Sequence, residues 1–199
     1  MFGLPRLLAR AIQAWWREFV FLLILNFLWL LAQFTVVLAA PATAGFVAVA
    51  RQIVDRELVD FGDFWRAVRD NLAAAWLWGL AQLVIYGVLA FNLWYYAGSA
   101  GAPALALRYA WTLMVVVWFA INLYFWPLYF EQVDRRFTTT LGNAAKMALL
   151  NPGFTIAYAG LAVILIAAGV LSGVLLGAVL GAWLALWGVL VVRQILERR

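Results

Sequence analysis

The chain has 199 residues, 68% of them hydrophobic and 12% charged, with a formal net charge of +5. A soluble domain carries roughly 45–50% apolar and about 25% charged residues, so an ordinary soluble fold is excluded and no polar stretch remains for a second domain. There is no Cys and no His, which removes disulfides, thiolate chemistry and the usual side chain for proton transfer near neutral pH.

Residues 1–17 read as an amphipathic interfacial helix. Leu4, Leu7, Leu8, Ile12 and Trp15 fall near one face, and Arg6, Arg10, Gln13 and Arg17 on another. The arginines are spread at helical spacing, without the compact apolar region and small-residue cleavage site of a secretory signal, so the segment is read as part of the mature protein. Residues 19–58 form a first hairpin. Phe19–Ala40 is free of charge and is expected to be one crossing, broken at Pro41. The return arm, Ala42 to about Leu58, spans roughly 25 Å, somewhat short of a ~30 Å hydrocarbon core. Residues 59–71 are a second interfacial helix, with Asp60 or Asp63 as cap and Arg66 placed to pair with Asp63 or Asp70.

Residues 72–130 form a second hairpin around the uncharged turn GSAGAP, with Pro127 as an expected kink near its inner end. Residues 138–150 are a third short amphipathic helix, and 153–192 a third hairpin. There Gly177, Gly181 and Gly188 allow close helix contact. RQILERR follows as a tail leaving the membrane. The fold class is therefore all-α: one integral membrane domain over 1–199, a polytopic bundle of about six crossings in three hairpins.

Topology follows from the basic residues, thirteen of which are Arg and one Lys. With six crossings and both termini cytoplasmic, thirteen of the fourteen lie inside and Arg108 alone outside. They edge the apolar runs, where they anchor helices against lipid phosphates, so the net charge does not argue for nucleic acid. A sparse internal repeat fits this layout. Gly62, Arg66 and Asn71 align with Gly142, Lys146 and Asn151 at an offset of 80, and Gly3 and Arg10 with Gly62 and Arg69 at 59. Each unit is one interfacial helix followed by one hairpin.

Local motifs carry a resemblance. Asn26 and Trp29 stand within NFLWLL, followed by Thr35 and the turn Pro41-Ala42-Thr43-Ala44. Phe64, Arg66 and Asn71 come next, then Trp126-Pro127-Leu128, Phe137, Leu141 and Asn143-Ala144. Across roughly residues 20–150 the chain resembles the YesL-like family of bacterial membrane proteins, which has no established biochemical activity. Ala40 stands where that family usually has Gly, and an extra Pro before the Thr is absent. The resemblance implies a bacterial cytoplasmic membrane protein with an accessory role near sugar import, and sugar-transporter subunits as partners.

Chemistry is sparse. Asn26, Gln33, Thr35, Thr43, Gln82, Asn92, Thr112 and Asn122 either satisfy one another between helices or line a small polar cavity for a sugar-like or amphiphilic ligand, helped by nearby Trp and Tyr faces. All nine acidic residues fall at or near the cytoplasmic edge, so no intramembrane carboxylate is available to relay protons. No His/Cys metal set and no nucleotide-binding glycine loop is present, and no enzyme activity, cofactor or metal is expected. Arg108 either snorkels to outer phosphates or faces a ligand cavity with Asn92, Trp94 and Tyr109. Asp63, Arg66, Arg69, Arg135 and Arg136 are the expected partner-docking charges, and acidic neighbours are expected for Arg135 and Arg136. Two functions remain: a non-enzymatic accessory or regulatory membrane protein, or a small transporter or channel, with homo-oligomerisation able to build a pore.

Overall fold

The computed structural model describes residues 4–173 and 179–198. Residues 1–3, 174–178 and 199 fall outside that description, and with them the expectations placed on Gly3, Gly177, Arg199 and the start of the Val174–Val192 arm. The described regular structure is helical: α1 (Leu4–Arg17), α2 (Phe19–Gln33), α3 (Ala39–Val54), α4 (Phe61–Asp70), α5 (Leu72–Ala97), α6 (Ala102–Glu131), α7 (Phe137–Leu150), α8 (Pro152–Ser172) and α9 (Leu180–Leu196). By length and composition α5, α6 and α8 are able to cross a membrane, α1 and α2 meet at 91°, and α3 and α9 are shorter apolar helices.

The first hairpin turns earlier than its hydropathy implies. The expected Phe19–Ala40 crossing ends at Gln33, and α3 begins at Ala39 rather than Ala42. Absence of charge measures transfer into lipid, not helix continuity. Here the polar side chains take over the backbone at the break. The Thr35 hydroxyl donates to the Ala32 carbonyl at 2.9 Å and accepts the Leu38 N–H at 3.3 Å. The Gln33 amide donates to the carbonyls of Trp29 and Ala39 at 3.3 and 3.4 Å. Pro41 falls in the first turn of α3, where its missing N–H has no helical partner to lose. The Trp29 indole donates to Thr43 Oγ1 at 3.1 Å and ties the two arms together. At the other end of the chain, RQIL does not leave as a tail. It completes α9, with Val191, Val192 and Ile195 buried.

The helices group into three units of the same plan: α1–α2–α3, α4–α5–α6 and α7–α8–α9. In each, a single residue (Glu18, Asn71 or Asn151) joins the interfacial helix to the outer arm. Asn71 and Asn151 make the same bond, each side-chain amide donating to the carbonyl four residues back at 2.8 and 2.9 Å. The packing permutes cyclically. The inner arms α3, α6 and α9 all touch one another. Each outer arm packs on its own inner arm and on that of the preceding unit, so that α5 lies on α3, α8 on α6 and α2 on α9. The interfacial helices follow the same rule, α4 on α3, α7 on α6 and α1 on α9.

Local chemistry explains the interfacial helices. In α4, Asp60 accepts the Asp63 N–H at 2.9 Å and Asp63 accepts the Asp60 N–H at 3.0 Å, a reciprocal cap. Phe64 and Val68 then bury against Gly45 of α3, where a Cβ would lie 2.5 Å from Val68 and 3.1 Å from Phe64. In α1 the buried stripe is Leu7, Ala11 and Ala14, while Leu8 and Ile12 stay exposed.

Inner-arm contact is closest along α9. A Cβ at Gly181 would stand 2.5 Å from both Asn26 and Phe46, and one at Gly188 would overlap the Tyr158 hydroxyl and lie 2.8 Å from the Pro127 ring. The Pro127 ring is rigid, and Tyr158 is held by its hydroxyl, which donates to the Leu184 carbonyl at 3.1 Å. Gly188→Ala is therefore expected to destabilise by about 1–3 kcal/mol. Gly87→Ala in α5 meets no heavy atom within 4 Å and should be neutral or slightly stabilising. Thermal unfolding of the purified protein in mild detergent compares them, and equal melting temperatures would refute the close approach.

Candidate functional site

Partway along the bundle, inner and outer arms line a cavity of about 270 Å³ that opens to the bundle surface. All three units supply its wall: Trp29, Thr43 and Phe46 from the first, Trp78, Gln82, Asn122 and Trp126 from the second, and Tyr158, Gly181 and Leu184 from the third. Gly181 and Ala185 of α9 leave the space, and aromatic rings from α2, α3, α5, α6 and α8 bound it. Among the described residues no charged side chain lines it.

Two carboxamides of this cavity, Gln82 and Asn122, form a network with two indoles. Trp118 Nε1 donates to Gln82 Oε1 at 2.9 Å, and Gln82 Nε2 donates to Asn122 Oδ1 at 2.6 Å. Trp78 Nε1 donates to the same Asn122 oxygen at 3.0 Å, and Asn122 Nδ2 closes the loop on the Trp118 carbonyl at 2.8 Å. The carboxamides of Gln82 and Asn122 are thereby fixed in orientation, each keeping a second N–H unused. The Trp126 indole N–H is buried without a partner in a residue only 2% exposed. An unpaired buried donor of this kind costs about 1–3 kcal/mol. Apolar walls with neutral donors suit an uncharged, partly apolar molecule carrying hydroxyl or ether oxygens.

The three inner arms close below the cavity in an ion cluster. Ala185 and Arg193 are about 12 Å apart along α9. The Glu131 carboxylate, at the end of α6, accepts from Arg51 Nε of α3 at 3.1 Å and from Arg193 Nε and Nη2 of α9 at 2.8 and 2.7 Å. Arg193 also holds Asp55 through both terminal nitrogens, one of them at 3.0 Å. Arg51 and Arg193 sit in the last turns of their helices, where the dipole favours a cation. Arg17 adds a further link, donating to the Ile53 carbonyl. The hydrogen bonds from Arg193 hold the Asp55 carboxyl below its ordinary value of 3.8, against the opposing effect of its partial burial.

The residues expected around Arg108 lie at the facing ends of α5 and α6. Trp94 and Tyr109 are 73% and 69% exposed, and the Asn92 amide donates to the Val88 carbonyl at 2.8 Å. Arg108 itself is half-buried, its Nε without a partner. The central cavity is lined by other residues. Of the expected docking charges, Arg66 pairs with Asp63 at 2.9 Å, and Arg69 is exposed at the end of α4. Arg136 lies 3.8 Å from Asp134. Among the described residues Arg135 does not meet an acid. Its guanidinium stands 5.8 Å from the ring centres of both Tyr129 and Phe130, a cation–π arrangement. Sequence reasoning missed the cluster of Arg51, Asp55, Glu131 and Arg193. Its trace was the 80-residue offset, which places Arg51 opposite Glu131.

The family described as "Protein of unknown function, DUF624" matches the chain over residues 22–93. No curated protein and no solved structure matches it.

Because the Asp55 pKa is lowered on folding, its contribution to stability is present above the ordinary value of 3.8 and is lost as pH falls through the lower folded value. The melting temperature should therefore hold from neutral pH down to about pH 5 and drop below about pH 4. Asp55→Asn should melt lower at pH 7 and lose less between pH 5 and 3. A variant whose acid profile matches that of the parent would remove Asp55 as the acid-labile group.

Proposed function

We propose that this protein is a six-crossing, non-enzymatic membrane protein that binds a small uncharged amphiphile in its central cavity and acts as an accessory or regulatory partner at the cytoplasmic face. The cavity carries the reading. All three units build it, the Gln82 and Asn122 amides are held by the Trp78 and Trp118 indoles, and among the described residues no charge lines it.

Six crossings are supported by the direction of the helices. The inner arms α3, α6 and α9 all end at the ion cluster, so the outer arms α2, α5 and α8 start from that side. The arms α2, α3 and α9 are only about 22–26 Å long. Both α3 and α9 are largely buried by their neighbours, and local thinning of the bilayer accommodates α2. The basic residues gather at the ion-cluster end, with Arg108 at the opposite one, which favours a cytoplasmic cluster and cytoplasmic termini in a bacterial inner membrane. The YesL-like resemblance supports membership of that family and a place beside sugar import.

Transport is the second reading, favoured because cavity and ion cluster lie in series along the same three helices. A path from the cavity to the cytoplasm would require parting both the Arg193 pairs and the buried rings packed above them, Tyr129 and Phe130 among them.

Topology is tested with reporter fusions. Fusions at residue 100 and at the C-terminus should report opposite sides, and an external N-terminal reporter would refute six crossings. Binding is tested in nanodiscs by tryptophan fluorescence with a short-chain alkyl glucoside. Saturable quenching is expected, and Asn122→Leu should weaken it about tenfold, the equivalent of one hydrogen bond. Absence of saturation in the parent would refute the site, whereas flux of the same solute through proteoliposomes would establish the transport reading. For docking, Arg66→Ala should change stability by only about 0–1 kcal/mol, since its ion pair is exposed. Co-purification of a partner from mild detergent should fall, and a large melting shift with unchanged co-purification would assign Arg66 a purely structural role.

A further inference from the structure

A second cavity, of about 290 Å³, lies between α1, α3 and α9 at the ion-cluster end. Among the described residues Arg10, Arg17, Arg56 and Arg193 line it, against one lining acid, Glu197. Two of these guanidiniums are engaged: Arg193 by Asp55 and Glu131, and Arg17 by Glu18 at 3.3 Å and by the Ile53 carbonyl. Arg10 and Arg56 have no hydrogen-bond or ion partner among the described residues.

Arg56 occupies a position that chain geometry reserves for glycine. It terminates α3 with φ +60°, donating its N–H to the Ile53 carbonyl at 3.1 Å, while the Glu57 N–H reaches the Gln52 carbonyl at 3.0 Å. This is a Schellman ending, whose left-handed residue is usually Gly because a Cβ is strained there. Among the described residues Arg56 alone combines a side chain with positive φ. Backbone ease is given up at the mouth of a cavity already rich in arginine. The setting matches. Helix α1 turns 91° from α2 and presents Leu7 and Ala14 together with Arg10 and Arg17 to the cavity. An amphipathic helix lying across a bundle end sits at the depth of lipid headgroups.

We infer that this cleft is a phosphate site for the headgroup of an anionic lipid, with Arg10 and Arg56 contacting the phosphate oxygens and Arg17 as a third donor. Guanidinium forks match phosphate oxygens in pairs, and the cavity is open enough to admit a headgroup from the side. A choline headgroup brings its own cation toward the arginines and is disfavoured.

The test uses the full chain in amphipol and reads its melting temperature with dihexanoyl phosphatidylglycerol, dihexanoyl phosphatidylcholine or inorganic phosphate at equal concentration. The glycerol lipid should raise the melting temperature, the choline lipid should not, and added salt should reduce the shift. Inorganic phosphate giving the whole shift would support the phosphate chemistry and identify a free phosphate ester as its source. Arg56→Gly separates site from scaffold. Without lipid it should melt about 2 °C higher, because glycine relieves the left-handed residue, yet lose at least half the lipid shift. Arg10→Gln should lose the shift with its lipid-free melting temperature unchanged. Equal shifts from the two lipids, or a full shift retained in both variants, would overturn the proposal.

Discussion

One guanidinium, that of Arg193, holds the ends of three helices. It bridges Asp55 beyond α3 and Glu131 at the end of α6, while Arg51 meets the same glutamate from α3. Three helix C-termini converge here, and their carbonyl ends carry partial negative charge that would repel without cations between them. The groups are partly shielded, Glu131 being 13% and Arg193 21% exposed. Desolvation therefore offsets much of the attraction, and removing one partner does more harm than the pair does good. The gain is registration. The inner-arm contacts above the cluster are mostly apolar, large rings of α6 against small residues of α3 and α9, and the charges add to that packing in setting how far each helix reaches.

The rest of the bundle follows from placing short arms inside longer ones. Helix α9 begins with the buried residues Leu180, Gly181 and Ala182. Asn26 of α2, fully buried, supplies the acceptor, with Oδ1 taking the Ala182 N–H at 3.2 Å. Because a Cβ at Gly181 would strike that same Asn26, the cap and the close approach depend on one another.

Three units share a packing rule but not a composition, and the cavity arises from the difference. The inner arm of the second unit is 30 residues long, against 16 and 17 for the other two. Its inner end is aromatic, with Tyr124, Phe125, Trp126, Tyr129 and Phe130 all buried. Facing it are small residues on α3 and α9. Large rings against small side chains fill the lower part of the core and leave room above, where Gln82 and Asn122 are fixed by tryptophan donors rather than by each other alone.

The sequence by itself determined the class of solvent, the number of units and the order of elements. Apolar runs bounded by arginine, amphipathic stretches such as Phe61–Asp70, and the capping Asp60 are local signals that need no tertiary context. The Asn71 and Asn151 correspondence was readable for the same reason, since each residue acts on its own helix. Tertiary structure alone decided which apolar helices lie inside. Hydropathy ranks α8 and α9 alike, yet neighbours bury most of α9 and little of α8. It also decided that the uncharged Phe19–Ala40 run breaks at Phe34, because the backbone groups freed there are satisfied by Gln33 and Thr35. Finally, it brought Arg51, Asp55, Glu131 and Arg193 together across as many as 142 residues of sequence. Pairing of that range depends on where three helix ends meet in space, which no local pattern of residues encodes.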